Sequence, residues 1–198
     1  MDVVEMVLTG RVNKSIVSLI NRSGGSAVGL SGKDANLLMA QKTKEEKLGF
    51  VGEVTHVNPS IVESIVGNGS IPVIATVASD VSNFKSLNVN ADLAAGAIAA
   101  ALGAEKLILM TDVPGVMRDL DDLGTLYREL DPEATQRLIQ EGVISGGMIP
   151  KINCCLDVLL SEVRAAHIID GRQPHSILQE ILSDEGVGTM FSNDRLSR

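Results

Sequence analysis

Short apolar segments alternate with helix-length segments along most of this chain. The clearest apolar segments are Lys106–Met110 and Ala166–Ile169, and the clearest helical ones are Ala91–Leu102 and Pro174–Leu182. Trp is absent, and the chain has one Tyr and three Phe, so the core must be built from Val, Ile, Leu and Ala. Strands separated by helices of this length require crossover connections. The pattern therefore predicts an α/β fold with a mostly parallel open sheet sandwiched by helices.

Helix signals at four places fix the order of the predicted elements. Asn58-Pro59 and Asp131-Pro132 each place a capping side chain before a proline at the first helical position. Gly24-Gly25 ends an amphipathic first helix, and Gly103 ends the Ala-rich one. The other predicted strands are Ala27–Leu30, Leu37–Ala40, Gly52–Val57, Ile71–Val77 and Gly188–Phe191, and the other predicted helices are Ser60–Val66, Pro132–Glu141 and Ile152–Val163.

Charge and composition narrow the range of partners. The chain has 17 Lys plus Arg against 25 Asp plus Glu, a formal net charge of −8, which disfavours nucleic acid and anionic membranes as partners. The adjacent Cys154 and Cys155 have no metal-like spacing and favour a reducing compartment. No apolar run is long enough for a membrane span, and the first residues lack the basic region of a secretory signal. We therefore expect a cytoplasmic location, or the plastid stroma after removal of a transit peptide.

Three polar segments follow strands or begin helices, where α/β proteins bind ligands. They are Ser86–Asp92, Thr111–Met117 and Gly146–Lys151. In the first, the amides of Asn88 and Asn90 suit a polar substrate, and Asp92 suits a cation or a lysine. A helix cap with a solvated Asp explains the same residues equally well. An ordinary turn is the commoner explanation for the second, and a surface lysine for the third.

Taken together and in this order, these segments resemble acetylglutamate kinase, a member of the amino-acid kinase fold. The resemblance rests on NVNAD (88–92), LILMTDVPGV (107–116), GGMIPK (146–151), AHIIDGR (166–172) and GVGTM (186–190). It extends to residues 3–29 and so covers almost the whole chain. The NVNAD and GGMIPK versions of these loops disfavour family members that act on UMP, aspartate or carbamate.

The resemblance implies ATP-dependent phosphorylation of the side-chain carboxylate of N-acetyl-L-glutamate, with Mg²⁺ bridging the phosphates and no metal held by protein side chains. Lys151 would stabilise the transferring phosphoryl group, and Asp92 would organise the catalytic lysines. Asn88, and with it Asn90, would bind the acetylglutamate. Eight residues would form the ATP site: Thr111, Asp112, Gly115, Val116, Met117, Val143, Ile144 and Ser145.

The resemblance also divides the chain into two lobes. Residues 1–80 would be the remainder of a substrate and dimerisation lobe, and residues 81–198 the nucleotide-binding lobe. The Lys-Gly-Gly phosphate loop, the His-Gly-Gly-Gly substrate loop and the Arg that grips the substrate are not in this sequence, so the N-terminal part of the substrate lobe is missing. We expect a partial sequence, an alternative start or an inactive remnant.

A further set of residues resembles the inhibitor site of arginine-inhibited members: Lys106, His167, Glu180 and Gly186. A carboxylate such as Glu180 suits a guanidinium. A buried His167 with a solvated Glu180 is an equally good explanation. The alternative to an active kinase is a catalytically impaired fragment that acts as an arginine-binding or oligomer-assembly module. The resemblance implies a homo-oligomer, as a dimer or a hexamer of dimers, and some members are regulated by the signalling protein PII. Five other polar residues are expected to be solvated surface: Lys14, Lys33, Asp34, His56 and His175.

Overall fold

The computed structural model describes residues 1–183 and 186–192, and the chain forms two compact units, Met1–Leu102 and Gly103–Arg198. This boundary does not coincide with the predicted lobes, residues 1–80 and 81–198. Strand β6 (Ser86–Val89) pairs with strands β3 (Val51–Val57) and β5 (Val77–Asp80), so residues beyond 80 belong to the first unit. The assignment of substrate and nucleotide to the lobes stays a prediction.

The first unit begins with a long helical segment. It consists of helix α1 (Asp2–Glu5), a π-helical stretch (Met6–Val12) and helix α2 (Asn13–Arg22). The segment ends before Gly24-Gly25, as the sequence predicts. The remaining elements of this unit are β1 (Ala27–Ser31), a 3-10 turn (Asp34–Asn36), β2 (Leu38–Lys42), a 3-10 turn (Glu46–Leu48), α3 (Ser60–Gly67), β4 (Ile71–Ala75) and α4 (Ala91–Ala101).

The strands of the first unit form two sheets. Strands β1 and β4 pair in parallel, with Ala27 opposite Ile71. Strands β2, β3, β6 and β5 close into a four-stranded barrel that contains both parallel and antiparallel pairs. Its core contains Leu38 and Leu87, and Val62 of α3 and Ala94 of α4 pack against them. The predicted strand Ile71–Val77 is therefore two strands, which separate at Thr76 and enter different sheets.

A buried asparagine attaches the first helical segment to the two-stranded sheet. Asn13 is 3% exposed, and its Nδ2 donates to the carbonyl oxygens of Leu30 at 3.1 Å and Val73 at 2.8 Å. A Cβ on Gly29 would lie 2.0 Å from Asn13 Oδ1, so the helix approaches β1 more closely than any side chain there would allow. One amide thus joins α2 to β1 and β4.

The second unit contains one mixed sheet, in the strand order β7-β9-β10-β8. Strands β7 and β9 are parallel, β9 and β10 are antiparallel, and β10 and β8 are parallel. The elements are β7 (Lys106–Thr111), a 3-10 turn (Leu123–Thr125), β8 (Glu129–Leu130), α5 (Pro132–Gln140), α6 (Met148–Leu159), β9 (Ala165–Asp170), α7 (Ser176–Leu182) and β10 (Thr189–Ser192).

Helix packing on β9 explains the continuous apolar run of that strand. Residues 165–169 are all buried, and both α6 and α7 pack against β9. Helix α6 begins at Met148, earlier than the predicted Ile152, and its N-cap is Gly147. Asp131 caps α5 as predicted, since its Oδ1 accepts from the amide of Ala134 at 2.6 Å.

The structure confirms the α/β fold class. Parallel pairings outnumber antiparallel ones among the described strands. The strands are distributed over three sheets rather than one open sheet, and one of the three is closed. None of the described helices is both long enough and apolar enough to cross a lipid bilayer.

Candidate functional site

A cavity of about 590 Å³ lies in the second unit, beside the carboxyl end of β7 and the start of α6. All eight residues that the sequence predicts for ATP binding line it, and so does Lys151. They come from two separate segments, residues 111–117 after β7 and residues 143–145 before α6. The fold therefore brings together the two segments that the sequence analysis assigned to one ligand.

The walls of this cavity differ in polarity from one part to another. Thr111, Asp112 and Ser145 provide polar atoms, and Thr111 Oγ1 donates to Asp112 Oδ1 at 3.2 Å. Val116 and Met117 are buried apolar residues, 2% and 5% exposed. A cavity with apolar walls and a few placed polar groups suits a ligand that has both a flat apolar part and a charged part.

The start of α6 gives one part of the cavity a positive potential. Gly147 and Met148 line the cavity at the N-terminus of this twelve-residue helix, which has no side-chain cap. The first amides of a helix lack intrahelical acceptors, and the helix dipole attracts anions there. Lys151 lies in the same first turns and adds an ammonium group to the cavity lining. This combination suits a phosphate.

Six lining residues were not among the predicted site residues: Val113, Arg118, Leu120, Gly142, Gly147 and Met148. Gly147 and Met148 lie within the GGMIPK segment, so the motif itself contained the signal for them. Arg118 and Leu120 belong to a hairpin-like loop in which Met117 and Leu126 form an antiparallel bridge. Arg118 Nε donates to the hydroxyl of Tyr127 at 3.1 Å, and this bond raises the pKa of the guanidinium. No local sequence pattern indicates this loop.

The predicted substrate residues lie in the first unit, at the junction of β6 and α4. Asn88 is half-buried on β6, between the buried Leu87 and Val89. Asn90 is the N-cap of α4, and its Oδ1 accepts from the amide of Leu93 at 3.1 Å. Asp92 is half-buried in the first turn of α4. The helix cap that the sequence analysis weighed for Asn90 is thus observed, and substrate binding by these residues stays a prediction.

The second unit contains another cavity, of about 420 Å³. It is lined by all four predicted effector residues: Lys106, His167, Glu180 and Gly186. Five other residues complete its lining: Arg128, Glu129, Ile181, Ser183 and Met190. Arg128 donates from Nη1 to the carbonyl oxygen of Gly186 at 2.9 Å. The cavity lining therefore contains both acidic and basic side chains, which suits a small zwitterion.

Glu180 organises this second cavity. Its Oε1 lies 2.7 Å from His167 Nδ1, and its Oε2 accepts from the amides of Val187 at 2.6 Å and Gly188 at 2.9 Å. Burial favours the neutral acid, but the Val187, His167 and Gly188 donors outweigh it, so the pKa of Glu180 is lowered. His167 is 3% exposed, and its Nε2 has no hydrogen-bond partner among residues 1–183 and 186–192. The prediction of a solvated Glu180 is excluded.

Three residues that were predicted to be solvated surface form hydrogen bonds: Lys14 and Asp34, which are exposed as predicted, and Lys33, which is half-buried. Lys33 Nζ lies 2.9 Å from Glu5 Oε1 and 2.8 Å from Ser86 Oγ, and Ser86 also donates to the Glu5 carboxylate. The Ser86 and Lys33 bonds lower the pKa of Glu5. Lys14 donates to the Gly29 carbonyl, and Asp34 accepts from Ser31. The contacts of Lys14 and Lys33 join residues that are far apart in the chain, so local sequence patterns do not indicate them.

Metal ligation by protein side chains is not indicated in the described part of the chain. Residues 1–183 and 186–192 contain no cluster of three or more His, Cys, Asp or Glu side chains that could hold a metal ion. Asp112 and Thr111 provide oxygen atoms beside the first cavity, and oxygen is the ligand that Mg²⁺ prefers. These two residues would be the ones to contact an Mg²⁺ ion in this cavity.

Comparison with known proteins gives consistent matches. The sequence pattern of the amino acid kinase family matches residues 1–170. The acetylglutamate kinase of a Nostoc species is 57% identical over 197 residues, which are 100% of this chain and 66% of that protein. The chain thus spans slightly less than two thirds of that relative's length.

Solved structures agree with the sequence matches. The Streptococcus mutans protein smu.665 superimposes with a TM-score of 0.79 at 30% identity, over 96% of this chain and 70% of that one. N-acetylglutamate synthase from Neisseria gonorrhoeae gives a TM-score of 0.81 at 22% identity, over 93% of this chain and 42% of that one. The second similarity establishes a shared fold.

Proposed function

Because the chain belongs to the amino acid kinase family, we propose that it carries out the ATP-dependent phosphorylation of the side-chain carboxylate of N-acetyl-L-glutamate. The product would be N-acetyl-L-glutamyl 5-phosphate, an intermediate of arginine biosynthesis. The 57% identity to an acetylglutamate kinase over the whole chain supports this choice of substrate. Because the relative is longer than this chain, the activity of these 198 residues is to be measured directly.

The observation that carries the proposal is the cavity of the second unit. It is lined by the two segments that the resemblance assigns to one ATP site, by the start of α6, which has no side-chain cap, and by Lys151. Apolar walls would hold the base, and the positive end of the cavity would hold the triphosphate. The volume of about 590 Å³ lies within the range of small-molecule sites.

The proposed reaction is an in-line transfer. A carboxylate oxygen of N-acetyl-L-glutamate attacks the γ-phosphorus, and the bond from that phosphorus to the β–γ bridging oxygen breaks, so ADP leaves with the electron pair. No proton has to be removed from the attacking carboxylate, so no general base is required. Lys151 offsets the charge on the moving phosphoryl group, and Mg²⁺ neutralises charge on the phosphates. Asn88 and Asn90 would hold the acetylglutamate, and Asp92 would orient the catalytic ammonium groups.

Trapping the acyl phosphate tests this proposal. The 198-residue chain, incubated with ATP, Mg²⁺, N-acetyl-L-glutamate and hydroxylamine, should form the hydroxamate of the side-chain carboxyl group. Lys151→Ala should lower the rate by on the order of 10²-fold to 10³-fold, the cost of removing one transition-state donor. Lys47→Ala, which changes an exposed lysine outside both cavities, serves as the matched control. A wild-type chain that forms no hydroxamate, or a Lys151→Ala variant with the wild-type rate, would contradict the proposal.

For the second cavity we propose L-arginine as the ligand. Its four predicted residues line one space, and Lys106 would pair with the α-carboxylate of the amino acid. The acidic side chains Glu129 and Glu180 balance the guanidinium charge. A solved relative of the same fold, the Neisseria gonorrhoeae synthase, was crystallised with L-arginine.

Thermal unfolding with and without L-arginine tests the second proposal. Millimolar L-arginine should raise the Tm of the wild-type chain, and Lys106→Ala should remove most of that shift, because ligand binding stabilises only the folded state. Lys106 is exposed, so its substitution leaves the core unchanged. A wild-type chain whose Tm does not respond to L-arginine refutes the proposal. Arginine binding without hydroxamate formation would instead favour the arginine-binding module.

Homo-oligomer formation, as a dimer or a hexamer of dimers, remains part of the proposal, as do regulation by PII and a cytoplasmic or plastid location. Light scattering coupled to gel filtration measures the oligomeric state directly. A mass equal to that of one 20.9 kDa chain at all concentrations would rule out the oligomer.

A further inference from the structure

A buried threonine hydroxyl near the C-terminal end of the described chain contacts the loop that forms one wall of the first cavity. Thr189 is the first residue of β10, pairs with Ile168 of β9 and is 0% exposed. Its Oγ1 accepts a hydrogen bond from the amide of Val116 at 2.9 Å and donates one to the carbonyl oxygen of Tyr127 at 2.7 Å. The hydroxyl thus uses both its donor and its acceptor capacity on backbone groups.

These two backbone groups lie at the base of the hairpin-like loop. The amide of Tyr127 donates to the carbonyl oxygen of Val116 at 2.9 Å, and Met117 bridges Leu126 next along the loop. In an uninterrupted antiparallel pair, the amide of Val116 would in turn donate directly to the carbonyl oxygen of Tyr127. Here the hydroxyl of Thr189 lies between these two groups instead, since it accepts from the Val116 amide and donates to the Tyr127 carbonyl oxygen. The spacing between the two arms of the loop therefore depends on this side chain.

The position of the hydroxyl is itself fixed from two directions. A Cβ on Gly115 would lie 2.5 Å from Thr189 Oγ1, so the loop backbone approaches the hydroxyl as closely as a glycine permits. On the other side, a Cβ on Gly188 would lie 2.2 Å from the carbonyl oxygen of Ile168, which keeps the start of β10 against β9. The hydroxyl cannot move appreciably without moving either the loop or the strand.

We propose that Thr189 is a positioning residue for the nucleotide, because it fixes the cavity wall formed by residues 115–117. Gly115, Val116 and Met117 all line the cavity, and the hydroxyl of Thr189 accepts the hydrogen bond of the Val116 amide. This inference rests on the proposed function, since it assumes that the cavity binds a nucleotide. It assigns a role to Thr189 of the GVGTM segment (186–190), of which Gly186 and Met190 line the second cavity.

The test measures nucleotide binding directly, so that it does not depend on turnover. Isothermal titration of the 198-residue chain with Mg²⁺ and the non-hydrolysable analogue AMP-PNP should give a Kd about tenfold higher for Thr189→Val than for wild type, because Val leaves both backbone groups without the hydroxyl. Thr189→Ser keeps the hydroxyl and should stay within about twofold of wild type. Thr135→Val, which removes another fully buried threonine hydroxyl, bonded to the carbonyl oxygen of Asp131, is the matched control and should also stay within about twofold.

Amide hydrogen exchange supplies a second measurement. In Thr189→Val, the Val116 amide should exchange at least about tenfold faster than in wild type, while amides of α5 and β9 keep their rates. Uniformly faster exchange would mean general destabilisation and would overturn the proposal. If Thr189→Val does not fold, Thr189→Cys replaces it, because a thiol of similar volume is a weak donor and acceptor. Thr189→Cys should then bind the analogue about tenfold more weakly than Thr189→Ser.

Three other outcomes would contradict the positioning role of Thr189, and the third would also contradict the proposed function. If wild type binds the analogue and Thr189→Val binds it equally well, or if Thr189→Ser is as impaired as Thr189→Val, the positioning role is wrong and the proposed function stands. If wild type binds no analogue, the proposed function fails and the positioning role fails with it.

Discussion

At the scale of single residues, the most informative case is Glu180, because its surroundings differ from those of an ordinary surface carboxylate. Its Oε2 accepts hydrogen bonds from the backbone amides of Val187 and Gly188, and its Oε1 contacts Nδ1 of His167 on β9. It is 8% exposed although it carries a charge. Burying a carboxylate is tolerated only where donors surround it. Glu180 therefore shapes the second cavity before any ligand enters it.

Glu180 predicts how stability changes with pH. Its folded pKa lies below the usual value near 4.5, so the carboxylate contributes stability that is fully present above about pH 4.5 and is lost as the pH falls through the lowered folded pKa. Glu180→Gln should lower the free energy of unfolding by about 1–3 kcal/mol at pH 7. Urea unfolding of both proteins between pH 3 and pH 7 should show the difference shrinking at acid pH. A difference that is constant over this range would contradict the assignment.

The places of several candidate site residues in the fold were predictable from the sequence, because they depend on local signals. Lys151 follows a glycine pair, and Thr111 and Asp112 follow an apolar strand, so ordinary sequence patterns located them at the end of a strand and the start of a helix. Thr189 was not predictable in this way, because its partners Val116 and Tyr127 are more than 60 residues away in sequence. A hydroxyl bridging two backbone groups leaves no periodic signal.

At the scale of elements, the attachment of α2 to the two-stranded sheet depends on Gly29. Gly29→Ala would place a methyl group where Asn13 Oδ1 and Lys14 Nζ now lie, at 2.0 and 2.5 Å. We expect a loss of about 1–3 kcal/mol in the free energy of unfolding, typical of overpacking. Gly67→Ala is the matched control, because its Cβ would meet nothing within 4 Å. Equal stability of the two variants in urea unfolding would show that the close approach is not required.

Asn90 offers a way to separate a structural role from a binding role at the start of α4. Asn90→Ala removes the cap and should cost about 1 kcal/mol of stability, whereas Asn90→Ser keeps a capping oxygen and should cost only a few tenths. If the Asn90 amide also binds N-acetyl-L-glutamate, both variants should raise the KM for that substrate. Urea unfolding and hydroxamate assays measure the two effects separately. A wild-type KM in Asn90→Ser would show that Asn90 caps the helix and does not bind the substrate.

Element boundaries followed the sequence signals where those signals are stereochemical. Asp131-Pro132 begins α5 as predicted, because a capping side chain and a proline at the first helical position act locally, whereas α6 begins at Met148, earlier than the predicted Ile152. The sequence does not predict strands β6 and β8, and it predicts β4 and β5 as one strand. Strand β6 was included in a polar loop, because Ser86 and Asn88 alternate with only two apolar residues. The break at Thr76 was missed because the apolar run continues through it, and the change of sheet depends on pairing partners.

At the scale of the whole molecule, composition determined the fold class but not the pairing of strands. A core of Val, Ile, Leu and Ala under helices is compatible with one sheet or with several. The closed barrel of the first unit depends on long-range pairs such as β3 with β6 and β2 with β5, which no periodicity in the sequence specifies. The same limit applies to the division into units after Leu102. Family resemblance, rather than spacing, supplied the grouping of segments 111–117 and 143–145 around one ligand.

The most direct test of the central claim is to locate bound nucleotide by photoaffinity labelling of the intact chain. With 8-azido-ATP and Mg²⁺, the label should attach within residues 111–120 or 142–151, and excess ATP should suppress it. Lys151→Ala should reduce the labelling, because it removes the ammonium group at the phosphate end of the cavity. Labelling that maps to other segments, or that excess ATP fails to suppress, would show that this cavity is not the nucleotide site.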